Sequence, residues 1–286
     1  MTMKGRCAVS ERTILITGAT DGLGRYLAIE TARAGARVLL HGRDRERAEE
    51  VRARILAEGG PEPDIILADL ADLADLSAVD RLAAEVESRT DRLDVLVNNA
   101  GIGFGAPGGA RELSADGIEL RFAVNYLAVY RLTHLLRGLL VRSAPSRIVN
   151  VASIGQEPLD FDNLMLEHDY SGVSAYRRAK LAEIMFTFDL AAELAPSGVT
   201  VNAIHPASLM NTTMVRQADY PAQSTIEEGG AAVLHLINDE VGTGHYFDGP
   251  HESRANPQAY DPTARRELCR HTTALLAAPR DALHSK

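Results

Sequence analysis

Ile14-Leu15-Ile16-Thr17-Gly18-Ala19-Thr20-Asp21-Gly22-Leu23-Gly24 is the stretch that decides how this chain folds. Its apolar, β-branched opening reads as a buried strand that stops at glycines. Beyond them Leu23, Leu27 and Ala34 recur at helical spacing, so the hydrophobic period changes at the turn. Strand, glycine turn and helix in that order make a βα unit. The helix N-terminus offers unpaired N–H groups and the positive end of a dipole, and Gly18, Gly22 and Gly24 let a pyrophosphate approach the main chain. A tight βα turn that binds nothing has similar glycines; the strand and helix on either side favour dinucleotide binding.

Length and composition set the frame around that unit. With 286 residues and 45% hydrophobic content, the chain can bury a substantial α/β core and has neither disordered nor membrane composition. A net charge of −9 argues against a nucleic-acid or anionic-membrane surface, both of which need a basic face. Residues 1–12 lack a signal-peptide core and no apolar run reaches membrane-spanning length, so the cytoplasm is the expected compartment. Cys7 and Cys269 form no ligand cluster, so free thiols are expected rather than a disulfide framework or a zinc site. Cation usage is sharper evidence. Of 30 basic residues only Lys4, Lys180 and Lys286 are lysines, and Lys180 alone lies away from the termini. Lysine offers a compact, rotatable charge that arginine does not.

Strands are read at residues 36–41, 64–68, 93–97, 147–153 and 199–204, with a last short one around 245–247. Helices lie between them, at 73–89, from Ile118 to Leu136, at 174–193 and at 225–236. Helices between strands imply a parallel sheet. The expected fold is therefore α/β, a Rossmann-type doubly wound parallel sheet of about seven strands. It forms one domain over 1–286, with its core at about 12–249 and a helical tail at 250–286. The second strand ends in Gly42-Arg43-Asp44, where a dinucleotide fold places either an acid for the ribose hydroxyls or a cation for a 2′-phosphate. Arg43 favours NADP over NAD, against the alternative of one more surface arginine with Asp44 as a helix cap. Asp69, after the third strand, either accepts from an adenine amino group or caps the next helix. Asn98-Asn99-Ala100-Gly101 ends the fourth strand, where ligands bind in open α/β sheets, although such asparagines also hold turns. Gly101 to Gly109 holds five glycines and a proline and is read as a mobile loop.

Tyr176 and Lys180 fall at i and i+4 on one helix face. A cation within a few ångströms favours a phenolate, which makes Tyr176 a proton donor to a carbonyl oxygen. Alone, such a pair is an ordinary surface contact. In order, however, the chain presents the glycine turn, Asn98-Asn99-Ala100-Gly101, Asn125 in a helix, Ser153 at a strand end and then the pair. That ordered set resembles the short-chain dehydrogenase/reductase family from about Thr13 to Gly249. Thr17-Gly18-x-x-x-Gly22-x-Gly24 matches its cofactor motif, and Asn125, Ser153, Tyr176 and Lys180 match its catalytic tetrad. The resemblance implies Tyr176 as acid/base and Ser153 as hydrogen-bond partner of the substrate oxygen. It implies Lys180 on the nicotinamide ribose and Asn125 ordering a water for a proton relay. Implied cofactor contacts are Gly18, Thr20, Asp21, Gly22, Leu23 and Gly24 in the turn, Arg43, Asp69 and Leu70 beyond it, and Asn98, Ala100 and Gly101 at the fourth strand. Tyr176 and Lys180, then Pro206, Ala207 and Leu209 after the sixth strand, complete them.

Departures from the family pattern are informative. Residues 154–175 separate Ser153 from Tyr176, and Asp160-Phe161-Asp162-Asn163-Leu164-Met165-Leu166 within them resembles an insert of the retinol-dehydrogenase-like branch. The family's Pro-Gly is Pro206-Ala207 here, and its following threonine corresponds to Asn211 or Thr212. The expected function is NADP(H)-dependent interconversion of a carbonyl and an alcohol, on a bulky, largely apolar substrate framed by the glycine-rich loop, the insert and residues 207–222. An epimerase or dehydratase retaining its cofactor, or a non-catalytic NADP-binding regulator, are the alternatives. Surplus apolar positions on the helices carrying Asn125 and Tyr176 suggest a homodimer or tetramer.

Overall fold

The computed structural model describes residues 12–68 and 76–277. Asp69 and Leu70 lie outside the described residues. The first strand, β1 (Thr13–Ile16), is wholly buried, and helix α1 (Gly22–Arg33) begins where Asp21 caps it by accepting from the Gly22 N–H at 2.8 Å. Next come β2 (Arg37–Gly42) and α2 (Arg45–Ala57), the latter capped by Asp44 accepting from the Arg47 N–H. They are followed by β3 (Asp64–Leu67), α3 (Leu76–Arg89) and β4 (Val95–Asn98).

One predicted helix is three pieces. Leu120–Phe122 (α4) leads into a π-helical turn, Ala123–Leu127, and then α5 (Ala128–Arg142). A widened turn shifts the helical register by a fraction of a turn and often sits at functional sites. Asn125 is at its centre. Nothing in hydrophobic spacing marks such a turn, because Phe122, Tyr126 and Val129 stay buried through it. The remaining elements are β5 (Ser146–Val151), α6 (Gly172–Leu194), β6 (Val199–His205), α7 (Thr213–Gln217), α8 (Ile226–Asn238), β7 (Tyr246–Asp248), β8 (His251–Ser253) and α9 (Pro262–Ala277).

Among the described residues, eight strands form one sheet in the order β3-β2-β1-β4-β5-β6-β7-β8. Every pair is parallel except β7–β8. The chain order reverses between β1 and β4, which opens a crevice at the strands' carboxyl ends. Alternation along the strands sends Leu15, Leu39, Leu96 and Ile148 into one core, with α3, α5, α6 and α9. Ile14, Ile16, Val38 and Val97 enter the other, with α1, α2 and α8.

The chain beyond Gly249 differs from the expected helical tail. His251–Ser253 adds an eighth, antiparallel strand, and α9 then folds back on the helices that carry the site. Thr272 Oγ1 lies 2.7 Å from the Tyr126 hydroxyl, Arg265 pairs with Asp189 of α6, and Ala264 and Leu268 enter the core. Helix α9 thus covers much of the apolar surface of α6 and reaches Tyr126 from within the chain, while Leu135 and Val141 of α5 stay exposed. Among the described residues, no helix is long and apolar enough to cross a membrane.

Candidate active site

The glycine turn is built by close packing. Gly18 and Gly22 have φ of +65° and +50°, a region L side chains rarely adopt. A Cβ at Gly24 would lie 2.1 Å from the Gly18 carbonyl oxygen, so α1 starts hard against the end of β1. Asn99 clamps this turn: its Nδ2 donates to Thr17 O at 2.8 Å and Gly18 O at 3.2 Å. Thr17 Oγ1 returns the grip by accepting from the Asn99 and Ala100 N–H groups, each at 3.0 Å. His41, fully buried in β2, accepts from the Gly18 N–H on Nδ1 at 3.3 Å and presents Nε2 to Ala68 O at 3.1 Å. That pattern requires the proton on Nε2. Asn99 thus holds the turn, as the alternative reading of these asparagines has it, and His41 is a site-building residue outside any motif.

The Asn98 side chain is built into the core. Its Nδ2 donates to Thr133 Oγ1 and Asn150 Oδ1, at 3.1 and 2.8 Å, so the side chain ties β4 to α5 and β5 inside the core. Of the two candidates in 211–212, Thr212 stands over the turn, where a Cβ on Gly22 would lie 3.1 Å from its Cγ2, while Asn211 Oδ1 accepts from Arg216. Leu209 holds φ +44°, and its carbonyl accepts from the Gln223 N–H, which ties the segment after Pro206 and Ala207 to the residues before α8.

Arg43 is exposed between β2 and α2 and makes no ion pair with any described residue. Thr20 packs against the end of β2, where a Cβ on Gly42 would lie 2.3 Å from its Cγ2, so the glycine turn and Arg43 are neighbours. Asp44 is the α2 cap, as its alternative reading held. Positive-φ glycines at a helix N-terminus, no acidic residue in the first turn of α1, and an adjacent unpaired arginine fit a dinucleotide with a terminal phosphate.

Asn125, Ser153 and Lys180 lie near the ends of β4 and β5, and Tyr176 precedes Lys180 by one turn of α6. Ser153 follows β5 and is 9% exposed, and its Oγ accepts from the Gly155 N–H at 3.0 Å, which leaves its own hydrogen for another acceptor. Tyr246 of β7 donates to Ser153 O, fixing the segment. Lys180 is 4% exposed, with Nζ donating to Val151 O at 2.7 Å and Glu183 Oε2 at 2.8 Å. A Cβ on Gly101 would lie 3.0 Å from Asn125 Oδ1 and 3.9 Å from Lys180 Nζ, which places this glycine between them. Asn125 grips Ile102 by both main-chain groups, at 2.8 and 2.9 Å.

The glycine-rich loop is tied at several points. Besides Ile102, Gly103 O accepts from Arg121 Nε, and the same guanidinium reaches Tyr170 of the insert and Glu112. Phe104 of the loop stands edge-on to Tyr176, and Tyr220 stands edge-on to Phe104. Met214 packs at Gly103. With exposed Ile154 next to Ser153, the mouth of the site is lined by apolar and aromatic groups. Glu183, fully buried, is pushed up to about 7 by desolvation, with Lys180 opposing. His205 at the end of β6 is lowered by burial, against the field of Asp248, and its Nε2 lies 3.2 Å from Ser208 Oγ.

Residues 12–222 match the family model described as short chain dehydrogenase. The chain is 39% identical to human (Homo sapiens) retinol dehydrogenase 14 over 287 residues, covering 90% of this chain and 84% of that protein. In three dimensions it is similar to an uncharacterized protein from Mycobacterium Paratuberculosis, with 28% identity, a TM-score of 0.74 and 93% of both chains covered. It is also similar to a short chain dehydrogenase from Shigella flexneri 2a str. 301 complexed with NADP, with 28% identity, a TM-score of 0.70, and 84% of this chain and 98% of that one covered.

Proposed function

Because this chain belongs to the short-chain dehydrogenase family, in its retinol-dehydrogenase-like branch, and is thereby an oxidoreductase of CH–OH and C=O groups, we propose that it uses NADP(H) in preference to NAD(H), with Tyr176 as acid and base. The observation that carries this reading is the setting of Lys180. A buried ammonium held at 2.7 Å to the end of β5, one helical turn from Tyr176 and beside the segment that bears Ser153, is a compact point charge in a place too tight for a planar guanidinium.

NADP(H), when bound along the glycine turn, supplies or accepts the hydride at the substrate carbon. The chain's own residues handle the proton. Ser153, whose oxygen is already occupied by the Gly155 N–H, directs its hydrogen to the substrate oxygen. Tyr176 gives that oxygen its proton in reduction and removes it in oxidation. Asn125 keeps Ile102 in place, and one Nδ2 hydrogen beyond its bond to Ile102 O is left to order a water. Phe104, Met214 and Tyr220 offer an apolar wall, which supports a bulky, largely apolar carbonyl or alcohol as substrate.

The test is consumption of NADPH with a panel of aldehydes and ketones graded by size and polarity. Net oxidation of NADPH that grows with apolar bulk is the expected result. Conversion of substrate without net change in NADPH would instead identify an epimerase or dehydratase, and binding without turnover a regulator.

A further inference from the structure

Glu183 lies on α6 three residues after Lys180, is fully buried, and has no part in the chemistry described so far. Its Oε2 accepts from Lys180 Nζ at 2.8 Å, while Oε1 has no hydrogen-bond partner among the described residues. Lys180 is therefore its one compensating group. Two of the three ammonium hydrogens are committed, to Glu183 and to Val151 O, yet the same nitrogen borders Gly101 at the end of β4. An ionised carboxylate with a bare oxygen in a buried setting is costly, and breaking its one ion pair leaves an uncompensated charge. Any draw of Lys180 toward the crevice must be answered at Glu183.

We propose that Glu183 is a positioning residue for Lys180, holding the ammonium before cofactor binds and taking up one proton from solvent when Lys180 turns to the cofactor ribose and the Tyr176 phenol. The proposal rests on the function proposed above, which gives Lys180 that second position. The proton adds to the carboxylate to give a neutral carboxylic acid, and no other bond changes. Burial already holds Glu183 at about 7, so a modest weakening of its bond to Lys180 is enough to protonate it near neutrality.

Charged groups on the surrounding elements are engaged elsewhere. On α6, Arg178 pairs with Glu157, Asp189 with Arg265 of α9, and Glu193 with Arg137 of α5. Arg121 of α4 pairs with Glu112 and Glu119, Arg147 of β5 donates to Leu236 O, and His205 of β6 faces Ser208 and Asp248. The polar neighbours on the Glu183 side of β5 and α6 are neutral: Asn150 donates to Thr187, and Thr187 to Glu183 O.

Calorimetric titration of the full chain with NADPH, in phosphate and in Tris at about pH 8, reads the protons exchanged on binding. Wild type is expected to take up roughly half a proton or more per NADPH, and Glu183→Gln to bind with none. Uptake follows a sign: a group at about 7 before binding and higher after it gains protons above 7 and little well below, so the wild-type uptake should fade toward pH 6. That wild-type series stands even if the variant does not fold. No uptake in wild type at any pH, or the same uptake in Glu183→Gln, overturns the proposal. Wild-type turnover of NADPH with carbonyls tests the function separately, so an active enzyme with no uptake removes Glu183 alone. A chain that neither binds nor oxidises NADPH overturns both.

Discussion

The Phe104 ring meets Tyr176 edge-on, with centroids 4.7 Å apart and planes at 79°. One residue comes from the glycine-rich loop and the other from α6, so the loop forms a wall of the site. An edge-to-face pair contributes roughly 0.5–1.5 kcal/mol beyond its buried area, and truncation also opens the mouth beside the phenol. Phe104→Ala should lower kcat/KM for bulky apolar carbonyls by about three- to tenfold, mainly through KM, while the NADPH Kd stays within about twofold. Steady-state kinetics and a fluorescence titration check the two halves. A matched loss in cofactor affinity would mean that Phe104 shapes the dinucleotide cleft instead.

Arg43 is the second case. It is exposed, unpaired among the described residues, and placed beside the glycine turn by the contact between Thr20 and Gly42. A charge-assisted contact to a 2′-phosphate is lost in Arg43→Ala, which should weaken NADPH by about ten- to a hundredfold and leave NADH nearly unchanged. Titration of both cofactors against both proteins decides it. Equal losses would assign Arg43 to general electrostatics or to folding.

The contrast between Arg43 and Asn98 shows what was legible in the sequence. Strand-ending positions, the glycine turn and the Tyr176/Lys180 helix follow from period changes and local spacing, and each is found as the expected element in the structure. Asn98 and Asn99 are adjacent and chemically identical, so spacing does not say which points inward; the pleat does, sending Asn98 to Asn150 and Thr133 and leaving Asn99 on the Thr17 and Gly18 carbonyls. Glu183 and His41 were hidden for a related reason. Each sits in an apolar run where only a three-dimensional partner shows that a buried polar group is satisfied. An acid three residues after the one interior lysine was the available signal for Glu183. The antiparallel β8 is illegible because His251-Glu252-Ser253 is polar and exposed throughout, with no apolar residue to mark it as Tyr246 and Phe247 mark β7.

Helix α9 carries the third prediction. Leu268 is 2% exposed and belongs to the core that α9 closes over α6, and Thr272 anchors Tyr126. With α9 folded over α6 and Tyr126, the apolar surface open to pairing is reduced, and light scattering at micromolar concentration should give a monomer. Leu268→Ala should cost about 2–5 kcal/mol in stability, the range for a leucine removed from a packed core. Chemical denaturation monitored by circular dichroism reads it. A wild-type dimer that the variant dissociates would show that α9 is itself the pairing surface.

The last prediction separates Tyr176 from Lys180, because the geometry gives them different work. Tyr176 is half-buried against Phe104 and offers a transferable proton, so Tyr176→Phe keeps the ring and its edge contact while removing the acid. Turnover should fall by about 10² to 10⁴, and NADPH affinity should hold. Lys180 occupies a tighter place, 4% exposed, with Val151 O and Glu183 within 2.8 Å and Gly101 beside it. A guanidinium is wider and planar and cannot point three hydrogens from one nitrogen at Val151, Glu183 and the crevice. Lys180→Arg should therefore lose turnover and weaken NADPH together, in contrast to Tyr176→Phe. Single-turnover rates and NADPH titrations on both variants give the comparison. Near wild-type behaviour of Lys180→Arg would reduce Lys180 to a generic positive charge, and with it the strongest support for the Tyr176 assignment.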